Sequence, residues 1–419
     1  MPDTLPLPAP GLVVREAELT ALRASLETDL RGYLADLASL VAIDSGSYDK
    51  AGVDEVGRWV AGFFERLGAR LAVHPDATLG DTVVATFDGP PGGARLLLIG
   101  HLDTVFPVGT AAARPFRIED GRALGPGVSD MKGGLLAGLY AIRALRRLAE
   151  AVGGEAAWPF ERLVFVANPD EEIGSPVSSP VIRAEAADVD ACLVLEAGRA
   201  NGDIVSSRKG ILDARLTIHG RAAHAGVEPE KGRNAIVEAA HQALGITGLN
   251  GRWEGVTANV GVVAGGTRPN VVADLATLEV DLRAVRRTEL EAAEAELRRM
   301  AASPTVADVS IEVEEMSRWW PMERLLGSAR LVDHALALAR RLGFETRDAA
   351  TGGASDANTT AGLGIPSLDG LGPIGGDDHS PSEWLAVDSV VPRATLVAGL
   401  ALAIGRDPGL LGGAGRERR

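Results

Sequence analysis

Cysteine is almost missing from this chain: its 419 residues hold one, Cys192, so no intrachain disulfide can form. That thiol lies in the apolar run ACLVLE, where a small buried side chain is the expected reading rather than a nucleophile. Positive charge is also short. Lys and Arg number 42 against 57 Asp and Glu, a formal net charge of −15. This excludes nucleic acid and anionic membrane as main partners, because both demand a basic surface. No apolar run reads as long enough to span a bilayer; the most apolar, GGLLAGLYAI, is flanked by Lys132 and Arg143. The opening MPDTLPLPAPG has neither the basic start nor the apolar centre of a secretory signal. These shortages together give the expectation of a cytoplasmic, reducing location.

What is present is ordinary globular composition, 46% apolar and 24% charged, in a chain longer than one core usually serves, so two domains are expected. Two segments near the start, ELTALRASLETDLRGYLADLASLVA and DEVGRWVAGFFERLG, have apolar residues at helical spacing. Short apolar strands follow: TVVATF, RLLLIG, RLVFVAN and ACLVLE, with the helical GGLLAGLYAIRALRRLAE between the second and third. Near-continuous apolar strands separated by helices predict an α/β domain with a mainly parallel sheet flanked by helices. Around Lys209 the pattern changes to strand, helix, strand, strand, helix, strand, the β-α-β-β-α-β order of a ferredoxin-like α+β module. Helical pattern resumes after Pro321, and VVPRATLVAGLALAIG closes the chain as a last helix. The expected domains are therefore 1–208 with 321–419, and an insert at 209–320. The tail after Pro408 is expected to be disordered.

Ligands of open parallel sheets gather beyond the carboxyl ends of the strands. Here those ends carry acids and imidazole. RLLLIG runs into His101 and Asp103, RLVFVAN into Asp170, Glu171 and Glu172, and ACLVLE ends on Glu196. Asp130 lies in GPGVSDMKGG, where a Gly-rich loop enters a helix, and His379 lies in the Gly- and Pro-rich GPIGGDDHSPSEW. Carboxylates crowded together raise one another's pKa unless cations are near. Two histidines among several acids suit zinc, with cobalt or manganese possible. Five ligands exceed one open tetrahedral site and suit two ions about 3.5–4 Å apart sharing a carboxylate. On an extended chain residues two apart share a face, so Asp103 is placed to accept the second imidazole N–H of His101 and fix the ring.

The set GHLDTV, GPGVSDMKGG, NPDEEIGS, LEAG, GRAAHAG and DDHSPSEW resembles the zinc metallopeptidase family of glutamate carboxypeptidase (carboxypeptidase G), acetylornithine deacetylase and succinyl-diaminopimelate desuccinylase. The resemblance runs from about Leu96 to the final helix and looks closest to the glutamate carboxypeptidase branch. It departs at Met131, where that branch has a second acid and the desuccinylase branch often has Met.

The resemblance implies that His101 and Glu196 hold one zinc, Glu172 and His379 the other, and Asp130 bridges the two. It makes Glu171 the general base, passing a proton from the attacking water to the leaving nitrogen. It makes the insert a dimerisation and lid domain. It places His224 of GRAAHAG across a homodimer to stabilise the oxyanion, and gives Asn270, Arg283 and Gly353 to substrate binding. An Arg fork suits a substrate carboxylate. His74, His219, His241 and His334 fall outside these motifs and are expected to be structural or exposed. The implied activity is hydrolysis of an amide next to a free carboxylate, such as a C-terminal glutamate, in a small peptide or N-acyl amino acid. The alternatives are an N-acyl amino-acid deacylase or desuccinylase and, less favoured, a non-catalytic relative.

Overall fold

The computed structural model describes residues 13–412; the stretch read above for a secretory signal lies outside them, as do residues 413–419. Two helices open the described chain, α1 (Glu16–Val41) and α2 (Lys50–Arg66), the second capped by the Asp49 carboxylate. Strands β1 (Arg70–His74), β2 (Thr82–Asp88) and β3 (Ala94–His101) follow, then α3 (Gly134–Val152), β4 (Phe160–Asn168) and β5 (Ala191–Val194). The chain continues through β6 (Gly210–His219), α4 (Ala235–Thr247), β7 (Thr257–Gly265), β8 (Leu275–Ala284), α5 (Arg287–Ala301) and β9 (Ser310–Trp319). It ends with α6 (Leu326–Leu342), α7 (Asp356–Gly362), β10 (Ser367–Leu368) and α8 (Val390–Arg406), with short elements between them.

The chain divides into two units. One comprises residues up to Ser206, Arg324–Ala350 and Ser355 onwards; the other runs Ser207–Glu323 and takes in Thr351–Ala354. In the first, a six-stranded sheet has the order β1-β2-β4-β3-β5-β10. Strands β4, β3, β5 and β10 are parallel to one another, and β2 pairs antiparallel with both β1 and β4. The mainly parallel sheet expected from the apolar runs is thus present, with one reversed strand, and β1 joins it as an exposed edge. Strand β3 is buried on both faces over most of its length, which is why its sequence is continuously apolar rather than alternating. Register decides where the chemistry gathers. His101 pairs with Asn168 and Ile99 with Val194, so β3, β4 and β5 finish level at one edge of the sheet.

Helix α8 packs against α1, α3 and α6. Contrary to the expectation from its runs, the stretch Val387–Arg406 is long and apolar enough, by length and composition, to cross a membrane. Yet 83% of its most apolar window is buried inside this unit, the pattern of a core helix. The tail differs from expectation too. Pro408–Leu411 forms a helical turn with Leu410 and Leu411 buried, because two adjacent leucines give the segment apolar area to bury.

In the second unit the element order is β6-α4-β7-β8-α5-β9, as the pattern predicted. Its antiparallel sheet has the order β7-β8-β6-β9, a ferredoxin-like arrangement. Burial alternates residue by residue along β6 and β8. One face therefore carries a core of Leu212, Leu216, Ile218, Leu278, Leu282, Leu290 and Leu297.

Candidate metal centre

Two turns bring the acids of β4 and β5 to the imidazole at the end of β3. His101 is almost fully buried, and its Nε2 lies 3.1 Å from Asp130 Oδ1 and 3.7 Å from Glu196 Oε1. His379 Nε2 lies 3.0 Å from Asp130 Oδ2 and 3.2 Å from Glu172 Oε2. Each oxygen of Asp130 thus faces a different histidine. Potential ligand atoms of His101, Asp130 and Glu196 all lie within 4.8 Å of one another, and so do those of Asp130, Glu172 and His379.

The donors fit a pair of divalent cations. Burial lowers the pKa of His101, but hydrogen bonds to Asp103 and Asp130 and the charge of Glu196 outweigh it and hold the ring well above its ordinary value. The bond to Asp130, then that to Glu172, raises His379 to about 10. Burial raises Asp130, yet the two imidazoles bring it below the ordinary carboxylate range. Positive charge is therefore demanded at both histidines, where metal ions would supply it. Glu172 Oε1, moreover, is buried without a hydrogen-bond partner. A buried orphan of that kind is costly and is relieved by a cation.

Asp103 is wholly buried and organises this edge. His101 Nδ1 lies 3.0 Å from its carbonyl oxygen and 3.2 Å from its Oδ1, so Nδ1 carries the proton and Nε2 offers its lone pair. The same carboxylate accepts the Glu171 N–H at Oδ1 (3.2 Å) and the Glu172 N–H at Oδ2 (3.1 Å). The Ser47 hydroxyl donates to Oδ2 at 2.7 Å. One side chain thus fixes a histidine and the turn Glu171–Ile173.

Burial, then the charge of Glu196, raises the Glu171 carboxyl well above its ordinary value. Such a group holds a proton at a pH where an exposed glutamate cannot. Asp170, grouped by sequence with these acids, turns instead into its own loop and accepts the N–H groups of Val177 (2.6 Å) and Ser178 (3.3 Å).

Asp130 precedes α3, whose first residue is Gly134. A Cβ there would fall 1.8 Å from the Leu195 carbonyl oxygen; only glycine lets the helix start pass so close to the residue before Glu196. Behind the loop, the buried Lys132 ammonium donates to the carbonyls of Leu40 (3.0 Å) and Ile43 (2.8 Å).

Sequence reasoning missed four residues here: Ser47, Lys132, Glu383 and Asp356. The Glu383 carboxylate accepts the N–H groups of Gly127 (2.9 Å), Ser129 (2.8 Å) and Asp130 (3.0 Å). Burial raises it to about 7, with those bonds opposing. Asp356 accepts from Asn168 Nδ2 and Ser175 Oγ, each at 2.7 Å, and burial raises it to about 7. A possible signal lay in position, since Glu383 follows His379 in the same motif.

The remaining site residues belong to the second unit. His224 is exposed, and its Nδ1 accepts the Gly226 N–H at 3.2 Å, so in the neutral ring Nε2 carries the proton and can donate. Asn270 is exposed, and its carbonyl accepts the Ala225 N–H at 3.1 Å, tying its turn to the His224 loop. Arg283 grips Asp281 through Nε and Nη2 and donates from Nη1 to the Gly352 carbonyl at 2.9 Å. Its fork is thus engaged in its own unit. Gly353 is exposed, with its carbonyl accepting from Arg208 at 3.2 Å. None of His74, His219, His241 and His334 belongs to either ligand trio.

Comparison with known proteins agrees with this geometry. Residues 97–403 match peptidase family M20/M25/M40. The chain is 31% identical over 377 residues to carboxypeptidase G2 of Pseudomonas sp. (strain RS-16), covering 88% of each protein. It is 27% identical over 397 residues to acetylornithine deacetylase of Edwardsiella ictaluri, covering 90% of this chain and 98% of the other. In fold it resembles the aminopeptidase PepT of Bacillus cereus, with a TM-score of 0.72 at 23% identity over 94% of this chain and 99% of that one.

Proposed function

The chain belongs to peptidase family M20/M25/M40, a family of metal-dependent hydrolases of peptides and acyl amino acids, and on that premise we propose a two-metal carboxypeptidase. Its substrate is an amide beside a free carboxylate, as in a C-terminal glutamate. The observation that carries the reading is the pair of ligand trios sharing Asp130 beside Glu171, whose carboxyl is held above its ordinary value by desolvation and the charge of Glu196. His101 and Glu196 would hold one cation and Glu172 and His379 the other, with Asp130 shared by the two trios; zinc would suit these donors, and cobalt or manganese could occupy the same set. Two such cations supply Lewis acidity and make water acidic near neutral pH.

The chain's own residues do the rest. Glu171 takes the proton of the attacking water and returns it to the leaving nitrogen, a transfer favoured by a carboxyl whose pKa lies above the usual range. Asp103 holds His101 and the Glu171 turn in register, so base and ligand do not move independently. His224 donates its Nε2–H to the developing oxyanion of a partner subunit's substrate. Arg283 and Asn270 receive the substrate carboxylate, and Gly353 lies on the short segment whose carbonyls position the Arg283 and Arg208 side chains.

A homodimer is part of this reading. Its support is the exposed apolar set on α4 and β7: Ile236, Val237, Leu244, Val262 and Val263. A cytoplasmic location is also part of it, since the one cysteine is buried and free and needs no oxidising compartment.

Replacing Glu171 with Ala is expected to remove turnover while zinc stays near two per chain, read by elemental analysis with an amide-hydrolysis assay. Undiminished turnover refutes the assignment. The deacylase alternative is favoured by Met131, which is buried with its sulfur 3.2 Å from the His101 N–H where the carboxypeptidase branch carries an acid. A panel of N-acyl amino acids against C-terminal glutamyl conjugates, ranked by kcat/KM, decides between them.

A further inference from the structure

Among the described residues the largest fully buried side chain is an arginine, Arg393, 1% exposed in the first turn of α8. It departs from three ordinary preferences at once. A guanidinium gives up its hydration on burial. A helix N-terminus carries partial positive charge and disfavours a cation. Its acceptors, moreover, are peptide carbonyls rather than carboxylates. Nε donates to the Gly372 carbonyl at 2.8 Å, Nη1 to that of Gly202 at 3.2 Å, and Nη2 to that of Gly370. Burial lowers its pKa to about 10, with the charge of Asp203 opposing, so it is still a cation at neutral pH. Methionine or leucine would fill this place in a core helix at less cost. Residues that break local preference in this way are expected where function makes a demand.

The three carbonyls show what the demand is. Gly202 lies on the segment that follows β5 and Glu196; Gly370 and Gly372 lie on the segment that leads from β10 to His379. Backbone bonds knit the two segments together. The Gly372 N–H donates to the Glu196 carbonyl at 2.8 Å, the Gly198 N–H to Pro373 at 3.0 Å, and the Gly375 N–H to Gly198 at 3.2 Å. A Cβ on Gly198 would fall 2.9 Å from Arg393 Nη2, so only glycine lets the guanidinium lie this close to the chain two residues after Glu196.

A planar fork with fixed donor directions holds its acceptors in one arrangement. Here that arrangement fixes the segment carrying Glu196 against the segment that runs on to His379. Glu196 belongs to one ligand trio and His379 to the other.

Resting on the two-metal reading, we propose that Arg393 is a positioning residue for the metal centre: through Gly372 its fork holds the Glu196 backbone where the carboxylate meets His101, and so keeps the two trios in register. It acts through the backbone and needs no contact with cation or substrate. Charge alone does not suffice. A lysine ammonium is a point donor on a flexible stem and cannot hold three carbonyls as a fork does.

The test uses the full chain as Arg393→Met and Arg393→Lys. Both are expected to weaken zinc binding at least tenfold, read by competition with a chromogenic chelator, and to lower kcat at least tenfold with KM within twofold. Cobalt in place of zinc gives a visible spectrum that reports ligand geometry, and its bands are expected to shift in both variants. Parent-like zinc affinity or an unshifted cobalt spectrum in folded Arg393→Met overturns the inference, because a merely structural arginine would change stability alone. Full recovery in Arg393→Lys overturns it too. Coupling is reciprocal, so the parent gives an answer even where neither variant folds. The Arg393 Nε–H, followed by NMR, is expected to exchange at least tenfold more slowly with zinc than without, relative to the β3 amides; an unchanged ratio overturns the inference. A parent that binds no zinc or hydrolyses no amide refutes the proposed function itself, a result distinct from all of these.

Discussion

Asp103→Asn is nearly isosteric, yet it attacks the point where ligand and base are held together. Oδ1 accepts from Glu171 N and lies 3.2 Å from His101 Nδ1, while Oδ2 accepts from Ser47 Oγ and Glu172 N. An amide retains one acceptor oxygen, so its NH2 must face one of those two pairs of donors. The less harmful orientation turns it to Oδ2's place, because the Ser47 hydroxyl can rotate and accept. The Glu172 N–H then has no partner. One buried unsatisfied N–H costs about 1–3 kcal/mol, and ion-strengthened bonds to three further groups become ordinary ones. Since Glu172 and His101 are proposed as ligands on opposite sides of Asp130, the cost is expected to fall on the metal-loaded state. Zinc affinity is expected to drop about 10–100-fold, measured by competition with a chromogenic chelator, with kcat falling in step because the Glu171 turn loosens too. Zinc affinity within twofold of the parent, together with an unchanged kcat, would show that Asp103 is not the organising residue.

Three further outcomes follow from the geometry. Gly134→Ala places a methyl 1.8 Å from the Leu195 carbonyl oxygen, so α3 must shift; a loss of about 3 kcal/mol is expected, with weakened zinc binding, and an unchanged melting curve refutes the close approach. Glu18, buried beside Arg406 and Arg15, is held at about 2 against an ordinary 4.5, with the Arg406 bond the largest cause. Because the folded pKa is the lower one, its contribution, at most about 3 kcal/mol, is complete above pH 4.5 and lost as pH falls towards 2. Glu18→Gln should therefore melt well below the parent at pH 7 and approach it by pH 3; a gap that stays constant with pH counts against the ion pair. Leu244→Arg, at a site 74% exposed on α4, is expected to yield monomers by light scattering and to cut turnover at least tenfold with zinc retained. Persistent dimers would place the interface elsewhere.

His101, Glu171, Glu172 and Glu196 were legible because each follows an apolar strand, and strand ends are where a parallel sheet presents ligands. RLLLIG and RLVFVAN alone located His101 and the Glu171–Glu172 pair. The inserted unit was legible from the order of its periodicities. Ser47 and Glu383 were not, because a serine before a helix and a glutamate in a loop look like ordinary solvated residues. Their roles exist only once distant loops meet: Ser47 bonds a residue 56 positions away and Glu383 reaches back 253 positions to Asp130. Asp170 misled for the converse reason. Composition cannot separate a carboxylate aimed at a metal from one folded onto its own loop amides.

One feature of Asp130 bears on how such a protein is made. Its second imidazole neighbour lies 249 positions further along the chain, and the carboxylate that clamps its loop arrives four residues after that imidazole. A ribosome adding about 5–20 residues each second therefore exposes the first histidine many seconds before the complete cage can exist. Until the last loop emerges, the growing polypeptide has only half of the proposed chelator, so on that reading tight capture of both cations waits for the His379 loop.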